Sequence, residues 1–222
     1  MEVVKLRPVL YQALEKRNPP RVVTAEWIHA SELGSCPRVI YFNRMGIEKN
    51  PRFPKNLFKI EDGRSIHRRI QRDLLLAGIL IAKEFNIEDA ENHIRGSADG
   101  KILLEERKRL LEIKTINDDK FNSLYGGPTV DNYKQANFYA INCGLEDIFF
   151  YYYNTNNGKT KEFEVKTNIE VYKSSIIMVQ MIRRCIEEQV VPNETVQTYC
   201  FACDYQYLCF SKKVNDKRKL VI

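Results

Sequence analysis

The sequence has 222 residues, of which 44% are hydrophobic and 29% are charged, so it can bury a sizeable core. It has no apolar run of about eighteen residues and no signal-peptide layout at Met1, so we expect a cytoplasmic protein with no membrane partner. The formal net charge of +6 fits a polyanionic partner such as nucleic acid.

The first sixty residues predict an N-terminal arm rather than a packed unit. Pro19-Pro20 interrupts it, and we expect irregular structure followed by a short helix over 27–33, just before Cys36. The next segment is helical, because apolar residues recur there every three or four positions. The spacing predicts an amphipathic helix over 62–80, with its apolar face formed by Ile66, Ile70, Leu74 and Ala77.

Residues 81–116 have the composition of β-strands. We predict three strands, over 81–87, 93–104 and 109–116, with a polar turn at 105–108. Further along, we predict a helix, a strand, a hairpin turn at 156–158 and a second strand, over 130–143, 147–155 and 160–166. Asn168 is expected to cap a last helix that ends near residue 189. The pattern predicts an α/β fold whose strands form an antiparallel or mixed sheet.

We expect a single domain over 1–222. It divides into the arm at 1–60, a core at 61–190 and a C-terminal segment at 191–222 that ends in a basic tail. The last thirty residues hold three cysteines and few apolar side chains, which is too little for a core of their own. Something other than hydrophobic burial is therefore expected to order them.

Two acidic residues occur on neighbouring predicted strands. Asp99 follows Gly96-Ser97-Ala98 near the start of one strand, and Glu112-Ile113-Lys114 lies on the next, where Glu112 and Lys114 share a face. Paired carboxylates suit Mg²⁺ or Mn²⁺, and Lys114 can hold an attacking water or offset phosphoryl charge. A lone Glu-x-Lys pair is more often an exposed ion pair, so this site needs supporting residues.

Supporting residues lie on the predicted helices. His67 lies on the inner side of its helix, although a lone inward histidine is more often a core residue than a ligand. Gln135 and Tyr139, four residues apart, share one helix face and can reach a phosphate or Lys114. In chain order, the motifs resemble those of the RecB-like branch of the PD-(D/E)xK nucleases: Gly63-x-x-x-His67, Gly96-x-x-Asp99, Glu112-x-Lys114 and Gln135-x-x-x-Tyr139.

This resemblance implies a mixed sheet flanked by helices and a role for each motif residue. The implied metal ligands are His67, Asp99, Glu112 and the carbonyl of Ile113. Lys114 would be the catalytic lysine, with Gln135 and Tyr139 as active-site support. The chain departs from the family name in having Ala98, not proline, directly before Asp99.

Four of the cysteines form a second group of candidate ligands. Cys200, Cys203 and Cys209 are spaced C-x2-C-x5-C, and Cys36 stands far upstream. In a reducing compartment such a set favours a four-thiolate site that clamps the two ends of the chain, although zinc or reduced thiols would also fit the spacing. Cys143 and Cys185 lie in predicted helices and are expected to be ordinary buried thiols.

The cysteine arrangement is similar to that of iron-sulfur nucleases of the RecB-like group. The similarity is greatest to CRISPR-associated Cas-four exonucleases, through Ser35-Cys36-Pro37-Arg38 and Tyr41-Phe42. The AddB nuclease domain and replication-linked helicase-nucleases have the same clamp. The resemblance implies a 4Fe-4S cluster bound by Cys36, Cys200, Cys203 and Cys209.

Basic residues surround the predicted site. Arg64, Arg68, Arg69 and Arg72 lie around His67, and Arg107-Lys108-Arg109 precede the Glu-x-Lys strand. Each group can contact phosphates or form a solvated charged face. From Arg64, Arg68 and Arg69 we expect contacts to DNA.

The resulting hypothesis is a metal-dependent DNA exonuclease acting on single-stranded or end-frayed DNA. The resemblance favours CRISPR spacer acquisition, with integrase proteins as partners. A virus-encoded or recombination exonuclease would have the same motifs. An alternative of another class is a catalytically silent DNA-binding adaptor, against which the intact His67, Asp99, Glu112 and Lys114 argue.

Overall fold

The computed structural model describes residues 6–18, 24, 26–49, 57–193 and 200–209. The helices are α1 (Leu6–Arg17), α2 (Pro37–Arg44), α3 (Leu57–Leu76), α4 (Asp118–Asn122), α5 (Val130–Asn142), α6 (Ile169–Glu187) and α7 (Gln206–Cys209). The strands are β1 (Ile28–His29), β2 (Leu80–Asp89), β3 (Ile94–Leu104), β4 (Arg107–Ile116), β5 (Asp147–Asn154) and β6 (Thr160–Lys166). None of the helices in these ranges is both long and apolar enough to cross a membrane.

The strands form one mixed sheet in the order β1-β3-β4-β5-β6, and β2 pairs with β3 as well. The β2-β3, β3-β4 and β5-β6 pairs are antiparallel, whereas β4-β5 and β1-β3 are parallel. Because β2 occupies one edge of β3, β1 and β4 share its other edge. The prediction of a mixed central sheet flanked by helices is confirmed.

Buried apolar side chains lie on both faces of the sheet. One cluster joins sheet residues such as Ile94, Leu110 and Phe150 to Phe138 of α5 and Val179 of α6. A smaller cluster on the other face joins Leu80, Ile102, Leu111 and Ile113 to the half-buried Ile70 and Leu74 of α3. The helices therefore sandwich the sheet, with α3 on one side and α5 and α6 on the other.

Some of the predicted boundaries of helices and turns are close to those in the structure, and others were wrong. The helix predicted over 62–80 is α3, which ends at Leu76 because Gly78 turns the chain in the left-handed conformation, with φ +71°. The turn between β3 and β4 contains only Glu105 and Glu106, whose φ angles of 49° and 62° match a tight two-residue hairpin. As predicted, Asn168 caps the long helix that follows β6, which is α6, and its side chain accepts bonds from Glu170 N and Val171 N.

The prediction for the N-terminal arm was wrong in two respects. The twelve residues of α1 are helical, not irregular, and Tyr11 packs against Phe58 of α3. The segment 27–33 forms β1 and a single 3-10 turn, and the helix starts after Cys36 because Pro37 fits its first position. The basic tail predicted within 191–222 lies, beyond residue 209, outside the described residues.

One predicted phosphate-binding residue is structural. Arg109 is completely buried, and its Nε donates to Glu164 Oε1 of β6 over 2.9 Å. Its Nη1 donates to the carbonyl of Leu104, so the guanidinium ties the β3-β4 hairpin to β6. A completely buried guanidinium cannot contact DNA, and only Arg107 and Lys108 of that group remain exposed.

Candidate active site

The site begins where β3 and β4 separate. Their ladder ends at the pair Gly100 and Leu111, one residue before Asp99 and Glu112 on either strand. Beyond that point Asp99 Oδ2 accepts a hydrogen bond from the backbone N of Ile113, over 2.7 Å. The β3-β4 ladder has ended here, so the Asp99 carboxylate takes the place of a β3 partner for Ile113, which pairs with Tyr151 of β5 on its other side. Asp99 is central in β3, not near its start as predicted.

Helix α3 holds Asp99 from a second direction. His67 Nδ1 lies 3.1 Å from Asp99 Oδ1. One turn later on the same face, Gln71 Nε2 donates to the backbone carbonyl of Asp99 over 2.9 Å. Side chain and backbone of Asp99 are therefore both constrained, as a metal ligand or catalytic acid requires.

A chain of contacts links Glu112 to α5. Lys114 Nζ lies 2.7 Å from Glu112 Oε1 and donates to Gln135 Oε1 over 2.9 Å. Gln135 Nε2 in turn lies 3.4 Å from the hydroxyl of Tyr139. The predicted shared face of Glu112 and Lys114, and the reach of Gln135 to Lys114, are thus present, with Ile113 buried on the opposite face.

Two glycines of the sequence motifs allow these elements to approach. A Cβ added at Gly96 would overlap the hydroxyl of Tyr139, and one at Gly63 would lie 2.9 Å from Thr115 Oγ1. Gly96 therefore makes room for Tyr139 above β3, and Gly63 lets α3 pack closely against the end of β4. In both motifs the glycine allows two elements to approach closely, and His67 or Asp99, three or four residues later, supplies a side chain of the site.

The electrostatics of the site centre on Glu112, which is only 2% exposed. Burial raises the pKa of Glu112 to about 7, Asp99 adds to the rise, and Lys114 opposes it. Burial disfavours charge on Lys114 as well, but the Glu112 carboxylate outweighs this and raises the pKa of Lys114. Glu112 Oε2 is buried without a hydrogen-bond partner within the described residues.

The donor set fits a hard divalent cation. Two carboxylates, one imidazole and the Ile113 carbonyl match the oxygen-rich ligands of Mg²⁺ and Mn²⁺, and the orphaned Glu112 Oε2 is an acceptor that a cation would satisfy. Among the described residues, no three His, Cys, Asp or Glu side chains are gathered closely enough to enclose an ion. His67, Asp99 and Glu112 are therefore candidate donors that do not form a complete metal-binding group within the described residues.

A cleft of about 610 Å³ opens beside His67. Arg64, Arg68 and Lys59 line it together with Thr115, the neighbour of Lys114. Glu61 pairs with both arginines, over 3.7 Å to Arg64 and 3.3 Å to Arg68, so part of their charge is offset. Arg69 instead lies over the ring of Tyr153, 5.2 Å from its centre. Of the three predicted DNA-binding arginines, two therefore line the cleft.

The cysteine-bearing segments also meet. Tyr205, 1% exposed, packs against Phe42 of α2 with ring centres 5.2 Å apart, and its hydroxyl donates to Asn43 Oδ1 over 2.8 Å. The hydroxyl of Tyr207 donates to the carbonyl of Glu48 over 2.7 Å. Aromatic side chains therefore dock the C-terminal segment on the residues that follow Cys36, which the sequence argument did not anticipate.

The thiols of this region influence one another. Burial raises the pKa of Cys203, and the nearby thiols of Cys209 and Cys36 raise it further. Among the described residues, no three cysteines form a group that could hold a metal ion. All six cysteines lie in the described part of the chain, and none forms a disulfide. Cys185, expected to be an unrelated buried thiol, is half-buried and packs on the same apolar cluster as Cys203 and Cys209.

Two residues with a structural role at these sites were not predicted from the sequence. Gln71 is completely buried, and its Oε1 has no partner within the described residues. Its position four residues after His67 on an amphipathic helix was the available signal, because a polar residue there faces the same way as the histidine. Tyr205 lies between Cys203 and Cys209, and the sequence motif there was interpreted through its cysteines alone.

Comparisons with known proteins show the fold alone. No family model matches the chain, and no curated protein matches it either. A crystal structure of SSO0001 is similar, with a TM-score of 0.59 and 16% identity over 93% of this chain and 97% of that one. An alkaline exonuclease from Laribacter hongkongensis, LHK-Exo, has a TM-score of 0.54 and 14% identity over 74% and 89%. Its complex with dAMP gives a TM-score of 0.56. The chain thus shares its fold with an exonuclease.

Proposed function

We propose that the protein is a divalent-metal-dependent deoxyribonuclease of the PD-(D/E)xK type. The observation that carries the proposal is the convergence of four distant segments on one point. His67 meets Asp99, Asp99 meets Ile113, and Lys114 joins Glu112 to Gln135. A surface ion pair would need none of these neighbours.

Each residue has a chemical task in phosphodiester hydrolysis. His67, Asp99, Glu112 and the Ile113 carbonyl would hold Mg²⁺ or Mn²⁺, which when bound polarises the phosphoryl oxygen and lowers the pKa of a coordinated water. Lys114 orients the attacking water and offsets phosphoryl charge. Gln135 holds the Lys114 ammonium, and Tyr139 supports Gln135.

We propose exonuclease action on single-stranded or frayed DNA ends. LHK-Exo, an alkaline exonuclease that has been crystallised with dAMP, has the same fold, which supports an exonuclease more than other nucleic-acid enzymes. The arginines of the cleft beside His67 support a polyanionic substrate.

Cleavage of end-labelled DNA tests the activity. The purified protein should shorten a labelled single strand progressively from an end when Mg²⁺ or Mn²⁺ is present. Ca²⁺ should not support the reaction, because its larger and looser coordination positions the water poorly. Robust cutting in excess EDTA would disprove metal dependence, and internal cuts in a circular single strand would disprove a requirement for ends.

We further propose that Cys36, Cys200, Cys203 and Cys209 bind one 4Fe-4S cluster. The support is the docking of the C-terminal segment beside α2 and the mutual effect of Cys36, Cys203 and Cys209 on thiol protonation. Four thiolates are the ligand set of such clusters and of structural zinc alike. Iron, sulfide and zinc analysis of anaerobically purified protein separates the two.

The pathway proposal rests on the motif resemblance to CRISPR-associated exonucleases. We propose that the protein trims DNA for spacer acquisition together with integrase proteins. Adjacent integrase genes and co-purification with their products would support this role. Neighbouring replication or phage structural genes would favour the viral or recombination exonuclease instead.

A further inference from the structure

The loop at 123–129, between α4 and α5, exposes an aromatic ring. The side chain of Tyr125 is 88% exposed, more than that of any other large hydrophobic residue in the described part of the chain. Val130, just after the loop, is 68% exposed. Single exposed apolar residues are common on proteins, so exposure alone has no functional meaning. For Tyr125, the anchoring of the loop and its position relative to Lys114 argue for a function.

The chain on both sides of Tyr125 is fixed. Leu124 is buried, and Lys161 Nζ donates to the carbonyls of Leu124 and Phe121 over 3.0 and 2.8 Å. On the other side, the Thr129 hydroxyl accepts from Asn132 N and so caps α5. A ring held on an anchored loop loses little conformational entropy when a ligand binds, which is the property of a preformed binding site.

The loop is attached to the residues that position Lys114. Thr129 N and Asn132 Nδ2 both donate to the hydroxyl of Tyr152, over 3.4 and 2.8 Å. Tyr152 is the β5 partner of Lys114 in the β4-β5 ladder. Tyr125 is four residues from Thr129 and hence at most about 14 Å from it. Tyr125 thus lies on the loop that leads into α5, the helix whose Gln135 accepts from Lys114, so a single strand several nucleotides long with a phosphate at Lys114 can extend to the ring.

The space near the ring is open. A Cβ added at Gly126 or Gly127 would meet no heavy atom within 4 Å. Gly126 also has a φ of +74°, which side chains rarely adopt, so this turn depends on glycine. A flat ligand can therefore approach Tyr125. Stacking on an aromatic ring selects for an unpaired base but not for its identity, because every base has a π-face and a base inside a duplex is already stacked.

We propose that Tyr125 is a stacking platform that binds a nucleobase of an unpaired DNA strand beside the active site. The inference rests on the proposed nuclease function and refines its substrate: single-stranded DNA or a frayed end, with little sequence preference. Tyr125 is then a binding residue for the strand, distinct from the residues that hold the scissile phosphate.

Binding without cleavage tests this directly. Fluorescence anisotropy in EDTA would compare the binding of a labelled oligothymidylate with that of an abasic strand of equal length. A length of about 16 nucleotides is the most that one single-strand-binding domain of the OB-fold type covers. The wild type should bind the oligothymidylate more tightly. Tyr125→Ala should weaken that binding about 5- to 150-fold, the loss of one stacked base, and should leave abasic binding unchanged.

Two variants control for side effects. Tyr125→Phe keeps the ring and should bind like the wild type. Ile177→Ala removes an exposed apolar side chain from α6, 65% exposed, and should change neither affinity. Equal weakening by Tyr125→Phe and Tyr125→Ala would show that the hydroxyl binds, which overturns the stacking proposal. An unchanged Tyr125→Ala affinity also overturns it, and a smaller oligomer of that variant would then identify Tyr125 as a protein contact.

A parallel cleavage assay separates this inference from the proposed function. If the wild type cuts DNA with Mg²⁺ or Mn²⁺ but Tyr125→Ala binds normally, only the stacking inference fails. If the wild type shows the base-dependent binding but never cuts, the nuclease proposal fails and the stacking site stands. Failure of the wild type to bind either strand overturns both.

Discussion

The two candidate sites are built in opposite ways. The carboxylate site draws its residues from β3, β4, α3 and α5, which are joined by hydrogen bonds. The cysteine site draws on short segments, the four-residue α7 and the 3-10 turn Cys200–Ala202, joined to α2 by a tyrosine contact. The sheet and the long helices thus position the first site, whereas few contacts position the second.

This difference has an energetic consequence. Loss of a side chain from the carboxylate site should cost activity and little stability, because the sheet and helices persist without it. If the cysteines bind the proposed cluster, loss of a cysteine should cost stability, because cluster binding would then be part of folding. Measuring the cleavage rate and the stability of each variant therefore compares the two regions.

The largest effect is expected for Lys114→Ala. Lys114 is the ammonium that contacts Glu112 and Gln135, so its removal should lower the cleavage rate at least about a hundredfold, as for other preorganised charge donors. DNA affinity should change little, since phosphate contacts are spread over several residues. Lys173→Ala on α6, an exposed lysine paired with Glu170, is the matched control. A rate near that of the wild type would remove Lys114 from the mechanism.

The second effect concerns Cys36→Ala. If the thiolates bind a cluster, the variant should lose the brown colour and about four irons per chain, and its melting temperature should fall. Cys143→Ala is the control outside the set, and Cys185→Ala tests a thiol that packs on the same apolar cluster. Both should keep their iron. A colourless wild type with one zinc would refute the cluster and leave the carboxylate site untouched.

Sequence patterns predicted the sheet and the long helices well, because periodicity reports which face of an element is buried. They failed for α1 and α4, which lack a strong pattern, and for Gln71 and Tyr205, whose partners are distant in sequence. Arg109 was misassigned for the same reason. Its acidic partner Glu164 lies two strands away, and sequence order does not show that pairing.

A third, smaller effect is expected for Gly96→Ala. The added methyl group would overlap Tyr139, so either the tyrosine or β3 has to shift. Overpacking of this kind costs about 1–3 kcal/mol, and displaced Tyr139 should also slow cleavage. Gly127→Ala is the control, because its Cβ would meet nothing within 4 Å. Urea unfolding checks the first effect, and equal stability of both variants would contradict the close packing.

The smallest effect concerns the cleft arginines. Arg68 lines the cleft, so Arg68→Gln should reduce the slope of log affinity against log salt by about 0.7 for single-stranded DNA, the value for one phosphate contact. Arg72, on the same helix, pairs with Asp73 and does not line the cleft, so Arg72→Gln should leave the slope unchanged. Glu61→Gln should raise affinity, because that carboxylate offsets Arg64 and Arg68. Equal slopes for both arginine variants would mean that DNA does not pass along α3, and that the carboxylate site is approached from its other side.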